Sequence, residues 1–174
     1  QPMSLPAAPA AILRALYDSA VSAALPGPAV LRALTADPPR ADRVHVIAVG
    51  KASVAMAAAA LDACGGRVVN ALAIAASRPI SVPAALDVML GDHPLPGPAS
   101  LAAAQRIGAV AQDVLPGDAA LVLVSGGASS LAAAPVHGIA AEDLVRLFLL
   151  LLDSGLDISP VNAIRRRVLR WAGG

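Results

Sequence analysis

Two rhythms of apolar residues alternate along this chain. From Ala10 to Leu25 the residues Ile12, Leu13, Leu16, Ala20 and Ala24 recur at helical spacing, and Pro26-Gly27-Pro28 is expected to end that helix before a second short one from Ala29 to Thr35. A polar loop, Asp37 to Arg43, leads into the apolar run Val44–Val49, which reads as a first strand. A helix over Ala52–Ala63 with Val54, Ala58 and Leu61 inward stops at Gly65-Gly66, and Val68–Ala76 reads as a strand buried on both faces. A third strand is expected at Leu86–Leu90, followed by a helix capped by Gly97, with Pro98 first, running to about Leu115. Ala119–Val124 reads as a fourth buried strand. Ala140–Asp153 is a wide-striped amphipathic helix, and Ser159 as N-cap with Pro160 first opens a last helix through about Trp171.

Four strands alternating with helices predict an α/β fold with a doubly wound, mainly parallel sheet, Rossmann-like and three-layered. At 174 residues the chain is long enough for one domain with its own core. Its start at Gln1 and its closing Gly173-Gly174 lead us to expect a piece of a longer protein, with residues 1–174 an incomplete N-terminal domain.

Composition narrows the function classes. Hydrophobic residues make up 57% of the chain and only Tyr17, Phe148 and Trp171 are aromatic, so the core must be aliphatic. A net charge of +1 with no basic stripe argues against nucleic acid. Cys64 has no partner for a disulfide or a metal site, no metal-ligand set is assigned, and a reducing, cytoplasmic location is expected. The uncharged stretch Ala119–Val136 contains Ser125-Gly126-Gly127 and Pro135, which fits strand, loop and short helix rather than a membrane span.

Ligands of doubly wound folds bind beyond the carboxyl ends of the strands. Three unusual turns fall there: Gly50-Lys51, Gly91-Asp92-His93-Pro94 and Ser125-Gly126-Gly127-Ala128-Ser129-Ser130. Lys51 is the one lysine among twelve arginines. It is either an incidental surface residue or a position that needs a compact ammonium, as a phosphate-handling site does. Gly50 with Lys51 resembles the end of a phosphate loop, but His45 stands where that motif needs its first glycine. The Ser125–Ser130 turn reads either as an anion nest or as a Gly-Ser loop capping a helix, and the patterns GxGxxG and GxSxG are both absent from it. His93 can carry a proton or simply shape its proline turn, and Asp92 can orient a metal or a hydroxyl. Of Arg165-Arg166-Arg167, one at most is expected to face a ligand.

Taken in order, Val49–Ala57, Gly91–Ser100, Ser125–Leu131, Pro135–Ile139 and Asn162–Arg165 resemble the type 2 glycerate kinases, which carry a C-terminal MOFRL domain. The resemblance implies ATP-dependent phosphorylation of D-glycerate to 2-phosphoglycerate with Mg²⁺, at a site between two domains. It implies that Lys51 is the active-site lysine, with His93 and Asp92 beside it in catalysis. Gly50, Ser125, Gly126, Gly127 and Ser129 would hold the nucleotide, and Lys51, Asn162 and Arg165 the substrate. The absent C-terminal domain would be the intramolecular partner, and a homo-oligomer is compatible with the pattern. The sequence departs from that pattern with Gly97 in place of aspartate, Ala128 in place of a third glycine, Ser130 in place of alanine, Arg165-Arg166-Arg167 in place of an Arg-Lys-His segment and Ala172 in place of a lysine. Two other readings stay open, a noncatalytic nucleotide- or anion-binding module and a hydroxypyruvate reductase-type enzyme.

Overall fold

The computed structural model describes residues 9–171. Helices α1 (Pro9–Ala23) and α2 (Pro26–Ala36) precede strand β1 (Val44–Val49), helix α3 (Ser53–Cys64) and strand β2 (Val68–Ala75). Strand β3 (Asp87–Leu90), helix α4 (Pro98–Gln112) and strand β4 (Ala119–Val124) follow. The chain then runs through helices α5 (Ala128–Leu131), α6 (Ala141–Asp153) and α7 (Ile158–Val168). The four strands pair in parallel in the order β3-β2-β1-β4. This is the predicted α/β fold, and the order reverses between β1 and β4, where doubly wound sheets place their ligands.

Alternation along the central strands sorts their side chains onto two faces. Val46, Ala48, Ala71 and Ala73 meet Ala57, Ala59 and Ala60 of α3, whose small side chains let the helix lie close. Ile47, Val49, Leu72 and Ile74 meet Ala103, Ile107 and Val110 of α4. Phe148 and Leu144 of α6 form a third cluster with Ala133 and Leu169. Every residue of β1 is buried, including His45 within its otherwise apolar run.

Some boundaries differ from the sequence reading. Pro26-Gly27-Pro28 begins α2 instead of merely ending α1, because a proline in the first turn removes only an N–H that has no helical partner. Gly27 is the point of close approach to α3, since a β-carbon there would lie 3.3 Å from the Ala55 carbonyl oxygen. Asp157 rather than Ser159 occupies the N-cap position of helix α7, without a side-chain capping bond, which leaves Pro160 in the first turn, and the helix stops at Val168. There Leu169 bridges antiparallel to Pro135, with the Arg170 N–H donating to the Ala134 carbonyl at 2.9 Å. Helix α4 ends at Gln112, short of Leu115. The largest difference is β4, read as fully buried. Leu121 and Leu123 are partly covered beside α3, but Val122 and Val124 are 59% and 63% exposed, because β4 is an edge strand and no helix among the described residues packs directly over its other face.

His45, for which the sequence offers no partner, is fully buried at the amino end of β1. The Asp118 carboxylate only accepts, so the His45 Nε2–H donates to Oδ2 at 2.9 Å, while Nδ1 accepts from the Asn70 amide at 3.1 Å. Arg43 and the Leu115 N–H also donate to Asp118. The His45 bond is the main cause holding the Asp118 carboxyl below its ordinary range, with burial opposing it and Leu115 and Arg43 assisting. A depressed folded-state value means that the stabilisation is present above the unfolded pKa, about 3.9, and is lost as pH falls through the folded value. Thermal stability should therefore drop below about pH 4, and Asp118→Asn should flatten that acid limb. Parallel melting-temperature profiles for the two proteins between pH 7 and pH 2.5 would contradict this assignment.

Candidate active site

The three turns do converge at the carboxyl end of the sheet, stitched by backbone hydrogen bonds. The Gly50 N–H donates to the Ile74 carbonyl at 3.1 Å, Lys51 to Gly126 at 2.9 Å, Ser125 to Val49 at 2.9 Å and Gly91 to Ala75 at 3.0 Å. Each bond ties a turn to the end of a neighbouring strand or to another turn, so the loop positions are set by the sheet register.

Gly50 has φ +125°, a conformation that side chains rarely adopt, and a β-carbon there would run into the Ser125 hydroxyl and carbonyl. That contact brings Ser125 against the start of α3. Its Oγ accepts from the Ala52 N–H at 3.1 Å and lies 3.4 Å from the Val49 carbonyl to which it donates. Ser125 is thus engaged with backbone, joining the Lys51 turn to the β4 turn. Lys51 itself is exposed, its side chain leaving the junction of β1 and α3. The amino terminus of α3, where the Ser53 N–H donates to the Gly50 carbonyl at 3.1 Å, adds partial positive charge to the same spot.

In the third turn Gly127 has φ +91° and precedes α5. A β-carbon on Gly127 would lie 3.0 Å from Cδ2 and 3.2 Å from Nε2 of His93, so the exposed His93 ring rests against the nest. Gly126 is exposed, and a β-carbon there would meet nothing within 4 Å, which leaves room above it for an anion. Ala128 does not obstruct this loop. Among the described residues no non-glycine has positive φ, and Ala128 simply opens α5. Ser130 is buried, and its Oγ donates to the Gly127 carbonyl at 3.0 Å.

The contacts of Asp92 are those of a helix cap. Its Oδ2 accepts from the N–H groups of Ala99 at 2.8 Å and Ser100 at 3.2 Å, in the first turn of α4. The Ser100 hydroxyl accepts from the Asp92 N–H at 2.8 Å. A β-carbon at residue 97 would come within 2.7 Å of that same Oδ2, a physical reason for Gly97 beside Asp92. Asp92→Ala should cost about 1 kcal/mol through the lost cap, measured by urea unfolding. An unchanged midpoint would contradict the capping role.

Asn162, Arg165 and Arg166 line an apolar groove of about 880 Å³ together with Ser129, Val49 and Val124. Arg165 is half-buried with its guanidinium 4.5 Å from the centroid of the Phe148 ring, and its Nε is buried without a hydrogen-bond partner. Burial lowers its pKa from the ordinary guanidinium value, yet it stays cationic. A desolvated guanidinium of this kind is well suited to an anion. Ala172, a further departure from the expected pattern, lies outside the described residues.

Residues 12–174 match the family model for a domain of unknown function, DUF4147. A protein of Agrobacterium vitis named "Putative hydroxypyruvate reductase" is 35% identical over 94% of this chain and 37% of its own length. The glycerate kinase of Rattus norvegicus is 32% identical over 92% of this chain and 36% of its own length. The crystal structure of a glycerate kinase from Thermotoga maritima superposes with a TM-score of 0.74 at 27% identity, over 88% of this chain and 37% of that one. The chain therefore spans little more than one third of these relatives. Its sheet order, its three stitched turns and this match along nearly its whole length agree: the chain belongs to the DUF4147 domain family, the N-terminal region of the glycerate kinases it resembles.

Proposed function

We propose that this domain supplies the phosphate-handling half of a glycerate 2-kinase, an ATP-dependent phosphotransferase acting on the 2-hydroxyl of D-glycerate. The observation that carries the reading is the junction of Lys51 with the Ser125–Gly127 turn through the Lys51–Gly126 hydrogen bond, with His93 resting on Gly127. Phosphoryl transfer asks for positioning and charge neutralisation more than covalent chemistry. A flexible ammonium, a glycine nest and a helix amino terminus are suited to both.

In this reading the backbone around Gly126 and Gly127, with Ser129, holds the nucleotide phosphates, and Ser125 and Gly50 set the loop geometry. Lys51 neutralises charge that grows on the transferring phosphoryl group. His93 orients the glycerate hydroxyl and takes up its proton as the hydroxyl oxygen bonds to the γ-phosphorus and the bond to the β-phosphate oxygen breaks, releasing ADP. Asn162 and Arg165 face the substrate carboxylate, which supplies the anion that Arg165 lacks. Asp92 acts by holding the His93 turn against α4. Among the described residues no group of three or more His, Cys, Asp or Glu side chains could hold a metal. A Mg²⁺ accompanying the nucleotide would be held largely by phosphates and water, as Mg²⁺ usually is. The remainder of the longer protein would close the cleft, and cytoplasmic action on a small metabolite suits the reading. No helix among the described residues is long and apolar enough to cross a membrane.

The name of the Agrobacterium vitis relative keeps a reductase reading in play. The β1 turn does not supply the GxGxxG loop that a dinucleotide fold uses at this place. Titrating the 174-residue protein with ATP and with NADH, followed by backbone amide shifts, separates the two. Shifts at Lys51, Gly126 and Gly127 with ATP alone are expected. Shifts at these amides with NADH alone would favour the reductase.

A further inference from the structure

Two successive peptides of the turn after β4 are held by their carbonyl groups. The Gly126 carbonyl accepts from the Lys51 N–H at 2.9 Å. The Gly127 carbonyl accepts from three donors, the Ser130 hydroxyl at 3.0 Å and the N–H groups of Leu131 and Ser130 at 3.1 and 3.2 Å. A trans peptide points its N–H opposite to its C=O. Fixing these two carbonyls therefore fixes the next N–H groups, turning that of Gly127 away from the Lys51 backbone and that of Ala128 away from Ser130 and Leu131. Neither N–H donates to an acceptor among the described residues.

Of the three donors to Gly127, the hydroxyl makes the shortest bond, and it alone depends on the identity of a side chain. Ser130 is 4% exposed, so its hydroxyl is kept from water and committed to that carbonyl. The bond matters because α5 is only four residues long and gains little stability from its own backbone. Two neighbours depend on its place. The Leu131 backbone lies against Gly91, where a β-carbon would run into the Leu131 carbonyl, and Gly127 carries the His93 ring. One short helix thus spans the nest and the Asp92–His93 turn. Ser125 braces the same turn at its other end, through the Ala52 N–H.

We propose that Ser130 is a positioning residue for the phosphate nest. By holding the Gly127 carbonyl, its buried hydroxyl keeps the Ala128 N–H directed at a phosphate beside that of Gly127, and keeps Gly127 under His93. Ser130 itself touches no ligand. The inference rests on the phosphate-handling part of the reading above and makes no use of glycerate as the acceptor.

Inorganic tripolyphosphate, which has neither base nor sugar, is the probe, titrated into the 174-residue protein and followed by backbone amide shifts. Shifts are expected at Gly127 and Ala128. Ser130→Ala should weaken this binding by about 3- to 10-fold, the span of one neutral hydrogen bond, and should reduce the Ala128 shift at saturation. Ser130→Thr keeps the hydroxyl and should restore both. Melting curves on the same samples separate positioning from folding. A merely structural role would lower the melting temperature of Ser130→Ala while the folded protein bound tripolyphosphate as the parent does, and that result would overturn the proposal. So would parent Gly127 and Ala128 amides that ignore tripolyphosphate, or a Ser130→Thr variant that melts with the parent yet binds as weakly as Ser130→Ala. The expected shifts and losses, found together with a longer protein that does not phosphorylate glycerate, would leave Ser130 in this role and remove the kinase reading alone.

Discussion

Lys51→Ala is expected to lower kcat/KM for ATP-dependent phosphorylation of D-glycerate by about 100- to 1,000-fold in the longer protein carrying this domain, a loss of about 3–4 kcal/mol of transition-state stabilisation. The reasoning is geometric. Lys51 leaves the β1–α3 junction with its backbone N–H fixed to the Gly126 carbonyl, so the root of its side chain is held beside the nest that would hold the phosphates. It is also solvent-exposed, and an exposed side chain outside the core contributes little to folding, so the variant should melt within about 0.5 kcal/mol of the parent. Lys51→Arg restores the charge but not the compact, rotatable donor set, and should recover only part of the rate. Steady-state kinetics with circular dichroism melts on the same samples separate catalysis from stability. A loss below tenfold for Lys51→Ala would remove the lysine from the chemistry.

Gly50→Ala should be strongly damaging. At φ +125° an alanine is strained by about 1–3 kcal/mol, and its β-carbon would also collide with the Ser125 hydroxyl and carbonyl, adding a further overpacking cost of about 1–3 kcal/mol. Relief requires Ser125 to move, which breaks its bond to the Ala52 N–H and loosens the Lys51–Gly126 link. Stability and activity should therefore fall together. Urea unfolding should show a lower midpoint, and the ATP-induced shifts at Gly126 and Gly127 should disappear. Pairing Gly50→Ala with Ser125→Gly tests the cause, because removing the hydroxyl relieves part of the clash but none of the φ strain. A fully stable Gly50→Ala variant with normal ATP shifts would contradict this view of the turn.

Much of this was legible in the sequence because apolar spacing and glycine punctuation reflect local rules. The β1 run with no polar interruption except His45 marked a buried strand, and the three turns after β1, β3 and β4 marked the binding edge. Long-range contacts were not legible. Nothing near His45 in the sequence announces Asp118, which lies 73 residues away, and nothing about Asp92 alone shows its carboxylate turned onto α4. The burial of β4 was misread for a related reason. The run Ala-Ala-Leu-Val-Leu-Val reports the environment the strand is suited to, whereas its exposure depends on what stands beside it. Ser125 was set among the nucleotide-binding residues by resemblance, and its contacts with Gly50 and Ala52 show a hydroxyl engaged with the loop backbone. The signal that could have found it was Gly50 itself, since an obligatory glycine implies a close neighbour. Arg165 was singled out through family resemblance, and its position over Phe148 supplies the physical account that sequence spacing lacks.

The most direct test follows phosphorus. The longer protein is mixed with D-glycerate, ATP and Mg²⁺, and the products are observed by phosphorus NMR. The account predicts ADP and 2-phosphoglycerate in equal amounts, with neither formed by Lys51→Ala at a comparable rate. Oxidation of NADH by hydroxypyruvate with no ADP released, or no turnover of either substrate pair by a folded protein, would contradict it.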